Sequence, residues 1–236
     1  FVKDVLVKPR GLLEIDLQIT NSLDDPQYKG FIKISNGHCG LQDGIKNLRN
    51  LNSEIIFDKK MANLNSFYAN VGKGDLKISG KANLEGFDIE DFNISMEVLS
   101  KKGIELELNS FKIPQSAILK VLPSSPSKGD LKGWLNISNI QNQYEIKGDL
   151  ELSDASFTYP PKGKNHKEKT GGGGTDFFKT AKWDLSVRIG NNTWFENEFV
   201  NVVIDGKMRI KTEDNIQKLN GDFQILRGDI NYIGTY

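Results

Sequence analysis

The chain has 236 residues, of which 37% are hydrophobic, and its 31 basic residues are matched by 31 acidic ones. That is a foldable composition for one large or two small domains, without the net field that draws a protein to nucleic acid or to an anionic membrane surface. A single cysteine, Cys39, excludes an internal disulfide and a thiolate zinc cluster, and no apolar run approaches the ~20 residues that cross a bilayer. The opening "FVKDVLVKPR" is neither a signal peptide nor an initiator-methionine start, so the sequence reads as a piece of a longer chain.

From the N-terminus onward the dominant signal is period-two alternation. It begins with Leu13, Ile15, Leu17 and Ile19, and "GFIKIS" from Gly30 continues it. Each such run puts apolar side chains on one face of a half-buried strand and Lys, Glu, Asp, Asn and Ser on the other. The stretch "SNGHCGLQDG" is rich in turn residues and is expected to be a loop, with His38 and Cys39 as ordinary loop residues. Alternation resumes at "GDLKIS" from Gly74, then at Phe92, Ile94, Met96 and Val98, and at Ile104, Leu106 and Leu108. Residues 114–123, "PQSAILKVLP", are the one predicted helix, short and bracketed by Pro114 and Pro123.

"GDLKGWLNIS" from Gly129 and "GDLELS" from Gly148 restore the strand pattern. Residues 160–178 break it again and are expected to form a flexible, exposed, basic loop. The Gly171–Gly174 run inside that loop lacks the Gly-Lys-Ser/Thr of a phosphate-binding loop. Trp183, Leu185, Val187 and Ile189 open the last region, followed by "GKMRI", "GDFQIL" and "GDINY" from Gly206, Gly221 and Gly228. A glycine that opens each strand after its turn accounts for the recurring Gly-Asp motif. Its irregular spacing excludes a propeller or a fixed-period β-helix and favours a meander with connections of unequal length.

Chemistry is hard to place on this pattern. The carboxylates fall on the polar parity of strands (Glu14, Asp16, Glu105, Glu107, Glu151, Asp184) or after glycine in expected turns (Asp75, Asp130, Asp149, Asp222, Asp229), which is where solvated carboxylates belong. Only two histidines exist, His38 and His166, and neither accompanies a nucleophile. Neither catalytic residues, nor a metal site, nor a cofactor is expected. The aromatic residues Trp134, Trp183, Trp194, Phe195 and Phe199 are not interleaved with Arg and Lys as a base-stacking platform is, and a core or lining role is expected for most of them.

Strand after strand therefore carries an apolar face with almost no helix to cover it. Such faces meet each other, as in a sandwich or barrel, or meet an apolar ligand. Periodicity alone favours the closed sandwich.

Longer-range order shifts that balance. "WDLSVRIGNNTWFENEFVNVVIDGKMRIKTEDNIQKLNGDFQILRGDINYIGT", residues 183–235, resembles the closing region of the TamB family, within the AsmA-like proteins. The matching positions are Gly190, Asn191, Trp194, Gly206, Met208, Ile210, Leu219, Gly221, Arg227, Gly228, Ile230 and Tyr232, with methionine at 208 in place of the usual leucine. The segment from "GFIKISNGHCG" to "KANLEGF" is similar to an upstream part of the family pattern, with Ser53 where glycine is common. The passage from Ile113 to Phe157 fits as well.

The resemblance implies an all-β fold: an elongated, twisted, mostly antiparallel sheet curved into a U-shaped, open hydrophobic groove, forming one unit over residues 1–236. It implies a non-enzymatic lipid conduit of the bacterial envelope, carrying phospholipid between inner and outer membrane. A periplasmic location, an inner-membrane anchor outside this sequence and an outer-membrane β-barrel assembly protein as partner go with it; the alternative is a scaffold for outer-membrane protein assembly or secretion. The residues expected to line the groove are Leu76, Ile78, Phe92, Ile94, Met96 and Leu106, then Leu135, Ile137, Leu150 and Leu152, then Leu185, Val187, Val202, Ile204, Ile225 and Ile230.

Overall fold

A computed structural model describes residues 6–41, 47–107, 128–158, 180–196 and 199–230. Alternating sequence becomes strand throughout: β1 (Leu6–Asn21), β2 (Pro26–Leu41), β3 (Leu48–Lys59), β4 (Met61–Val71), β5 (Gly74–Glu85), β6 (Asp88–Val98), β7 (Ile104–Glu107), β8 (Lys128–Ile140), β9 (Gln143–Ser153), β10 (Ser156–Thr158), β11 (Lys182–Glu196), β12 (Val200–Glu213) and β13 (Ile216–Ile230). All belong to one sheet of 13 strands in the order β1-β2-β3-β4-β5-β6-β8-β9-β11-β12-β13. The short β7 extends the line of β6 along β8, and β10 extends the line of β9 along β11. The predicted helix at 114–123 and the predicted loop at 160–178 lie outside the described residues.

The sheet is not closed into a barrel. β1 pairs only with β2 and β13 only with β12, so each leaves one edge unpaired among the described residues. Neighbouring strands are antiparallel with one exception, β11, which runs parallel to β9 and β10. The meander expected from the sequence is therefore interrupted once, where the chain returns to the opposite end of the sheet before starting its last three strands. Two of the tight hairpins are built on a pair of left-handed residues, Gln141–Asn142 (φ 52° and 60°) and Asp214–Asn215 (φ 52° and 60°). That geometry matches the right-handed twist of the strands it joins.

Two expectations from the sequence need correction. His38 and Cys39 are strand residues of β2: His38 sits opposite Arg10 and Cys39 opposite Leu48. The turn-rich composition there is absorbed by register shifts around Gly37, so the chain bulges without leaving the sheet. The Gly-Asp motif, in turn, does not generally open strands. Gly148 lies inside β9 and Gly221 and Gly228 lie inside β13, so Asp149, Asp222 and Asp229 are strand residues on the polar face, not turn residues.

Glycine serves in the strand interior instead. Gly133 (φ 109°) and Gly228 (φ 140°) adopt backbone conformations that other residues avoid. A Cβ on Gly133 would run into the carbonyl oxygen of Asp149, and one on Gly228 into that of Asn201.

Candidate functional site

Cross-strand partners share a face, so the register dictates which side chains form a common surface. One row of directly opposed residues runs without interruption from β1 to β13: Leu13, Ile34, Ser53, Phe67, Ile78, Met96, Leu135, Gly148, Leu185, Ile210 and Leu219. A parallel row joins Ile15, Ile32, Ile55, Leu64, Gly80, Ile94, Ile137, Ile146 and Trp183. A third joins Ala69, Leu76, Val98, Gly133, Leu150, Val187, Met208 and Gly221. The sheet thus has one apolar face, continuous across the whole fold.

All the predicted lining residues lie on that face. Phe92 stands within β6 between Ala82 and Asn139, Leu106 and Leu152 stand where β7 and β9 flank β8, and Val202, Ile204, Ile225 and Ile230 carry the face across β12 and β13. They are not equally covered. Leu76, Leu106, Leu152, Leu185 and Val202 are buried, whereas Ile225 and Ile230 on the outermost strand are 63% and 71% exposed. On the opposite flank Leu13 and Ile15 are exposed as well.

Burial concentrates at one end of the strands, in two clusters. Cys39, Leu48, Leu51, Ala69, Val71, Leu76, Ile104 and Leu106 form the larger, and Leu152, Ala155 and Ile189 the smaller. Five residues of the larger cluster were not expected in a core by the sequence reading. Cys39, Leu48, Leu51, Ala69 and Val71 sit in segments whose alternation is broken by Asn, Gly and Ser, and cross-strand register was the signal that places them. Burial raises the pKa of the Cys39 thiol, because the thiolate is poorly solvated there.

At the other end a long-range contact crosses the apolar face. The Tyr28 hydroxyl on β2 donates to the carbonyl of Gly86, in the turn between β5 and β6, at 2.7 Å. Tyr28 also packs against Phe57 on β3 and edge-on against Phe87, with ring centroids 6.3 and 6.4 Å away. The turns beside it are tied together: Lys60 bonds Asp25 at 2.6 Å, and the Leu84 amide donates to the Lys60 carbonyl at 2.7 Å. The Asp25 hydrogen bond, followed by its charge, raises the pKa of Lys60.

The opposite face is charged and wet. Glu151 accepts from Lys132 and Arg188, both at 3.3 Å, and Arg209 bonds Asp184 at 2.8 Å. Exposed pairs of this sort contribute roughly 0–1 kcal/mol each, so they keep this side solvated and do little to hold the fold. Trp134 projects from this face at 47% exposure beside Lys132, Asp149 and Glu151, and Trp194 lies under the Arg227 guanidinium. Both depart from the core or lining role expected of them, because they occupy the polar parity of their strands. Among the described residues no group of His, Cys, Asp and Glu is placed to hold a metal ion, and no helix is long and apolar enough to cross a membrane.

One unclosed antiparallel sheet with a register-continuous apolar face and a charged reverse defines a class of single-layer β proteins. The chain belongs to the TamB family: the model of the TamB C-terminal domain matches residues 65–236. It is accordingly an envelope protein of the TamB and AsmA-like kind. No curated protein and no solved structure matches the chain.

Proposed function

We propose that the apolar face is the wall of a hydrophobic groove that carries phospholipid between the inner and outer membranes of the envelope, without catalysis. The observation that carries this reading is the unbroken set of apolar rows, left uncovered along both flanks by any second layer among the described residues. A facing sheet would turn such rows into a closed core; an acyl chain laid along them gains about 0.8 kcal/mol for each CH₂ buried. Rows of Leu, Ile, Val, Met and Phe offer similar energy at successive registers, so a chain moves along them without falling into one deep well. The Tyr28–Gly86 contact supports concavity toward the apolar side, since it draws a distant turn over that face. Charged headgroups stay at the open margin, near the ionised outer surface.

In this reading the protein works in the periplasm, with a membrane anchor outside the present sequence and an outer-membrane β-barrel assembly protein at one end. The second reading, a scaffold for outer-membrane protein assembly, rests on the edges of β1 and β13 that are unpaired among the described residues and can template a client strand. A photo-crosslinking amino acid at Ile94 or Val187, both half-covered positions of the wall, tests the first reading in cells. Phospholipid adducts are expected at both positions and none at Lys147 on the outer face. Adducts confined to protein would refute the conduit and favour the scaffold.

A further inference from the structure

The charged reverse of the sheet carries a hollow with an aromatic wall. Trp134 of β8 stands directly opposite Asp149 of β9, and two residues along the strands Lys132, Glu151 and Arg188 form a row across β8, β9 and β11. With Gly133 these five line a cavity of about 280 Å³, at the small end of ligand sites. Lys132 and Arg188 reach Glu151 from its two sides, at 3.3 Å each, so two cations and a carboxylate are aligned beside the indole. Neither the Asp149 carboxylate nor the Trp134 indole N–H has a hydrogen-bond partner among the described residues.

Packing does not account for a tryptophan at this position. An amphipathic ring gains most when its faces are covered and its N–H is met, whereas here about half of the side chain is bare, among Lys132, Asp149 and Glu151. The chemistry around it narrows what could cover it. The charges of the hollow cancel, Lys132 and Arg188 against Asp149 and Glu151, so it selects neither an anion nor a cation. A peptide finds no ladder to join, because β8, β9 and β11 are interior strands here, each paired on both sides.

We propose that this hollow is a saccharide-binding subsite that takes one neutral pyranose unit of a glycan. The sugar lays its C–H face on the indole, whose negative π surface attracts polarised C–H groups. Its hydroxyls donate to Asp149 and Glu151 and accept from Lys132 and Arg188, so a neutral polyol uses both signs of charge at once through charge-assisted hydrogen bonds. The subsite faces away from the apolar wall and is independent of what that wall carries.

The test titrates the whole chain with two neutral sugars that differ at C2, chitotetraose and cellotetraose, and follows the indole N–H resonances by NMR; the Trp134 signal is the one that Trp134→Phe removes. A saturable shift of that signal with either sugar is expected, with Trp183 and Trp194 unmoved. In calorimetry Trp134→Ala should weaken binding at least about tenfold and Asp149→Ala about fivefold, as loss of the stacking face and of one charge-assisted hydrogen bond implies. Both side chains lie on the open face, so the melting temperature should hold. No saturable shift with either sugar overturns the proposal, as does sugar binding indifferent to Trp134→Ala, or a Trp134 shift produced by inorganic phosphate or tetra-alanine and by neither sugar.

Discussion

The Tyr28 hydroxyl and the Gly86 carbonyl are 2.7 Å apart although β3 and β4 lie between β2 and β5 in the sheet. At about 4.8 Å per strand, β2 and β5 would be about 14 Å apart if the sheet were flat. A tyrosine side chain closes that gap only because the β5–β6 turn leans over the apolar face. Tyr28→Phe removes the donor and keeps the ring packing on Phe57 and Phe87. It should lower stability by about 1 kcal/mol and speed amide hydrogen exchange in the turn at residues 86 and 87, with exchange in β12 unchanged.

Gly133 tests the strand-interior glycines. Its φ of 109° and its approach to the Asp149 carbonyl both disfavour a side chain. Gly133→Ala should destabilise by about 1–3 kcal/mol, seen as a lower denaturation midpoint with an unchanged slope. Gly86→Ala is the contrast: nothing lies within 4 Å of a Cβ there, and only its φ of 61° opposes the change, so about 1 kcal/mol is expected.

Glu213 should titrate far below an ordinary carboxylate. Hydrogen bonds from Lys218 and Lys211 lower its pKa from 4.5 to about 2. A depressed folded-state pKa contributes stability above the unfolded value, and that contribution is lost as pH falls from about 4.5 toward 2. Carboxyl NMR should find the low midpoint at low ionic strength, and both Lys218→Ala and added salt should move it up, because the side chain stays open to solvent and is readily screened.

Cys39 should be inert toward thiol reagents near neutral pH. It is 4% exposed and its thiol pKa is raised by burial, so both access and thiolate fraction are low. Labelling should accelerate sharply on addition of denaturant, following the opening of β2.

Leu76 anchors the larger cluster at 2% exposure. Leu76→Ala should cost about 2–4 kcal/mol. Ile225→Ala, at 63% exposure on the outermost strand, should change stability by less than about 1 kcal/mol. If the wall carries lipid, both should reduce acyl-probe binding, which separates a contribution to the fold from one to the groove.

Much of this was legible in the alternation itself. Runs such as Phe92, Ile94, Met96 and Val98 carry both strand type and face, because a period of two admits only one arrangement of side chains. The face occupied by most lining residues followed from parity, but Ile225 and Ile230, of opposite parity, share it only through the bulge that separates them in β13. Cys39, Leu51 and Ala69 were not legible: bulges in β2, β3 and β4 shift parity locally, and composition around "SNGHCG" suggests a turn where the sheet continues. Trp134 misled in the opposite sense, since size suggests burial while parity puts it outside. The Asp214–Asn215 hairpin lacks the Asn-Gly pair that announces such turns. The contact of Phe92 with Tyr144 across Asn139 depends on three strands meeting in one register, which no single stretch of sequence encodes.

The parallel junction has a mechanical consequence. β11, β12 and β13 zip together through sequence-local hairpins, and among the described residues only β9 and β10 pair them to the rest of the sheet. The seam joins residues such as Glu151 and Arg188, 37 positions apart, so it is far less local than the hairpins inside the flap and forms after them by proximity. Pulling on the C-terminal end should therefore peel this three-stranded flap away as one cooperative block, leaving the N-terminal meander zipped behind it.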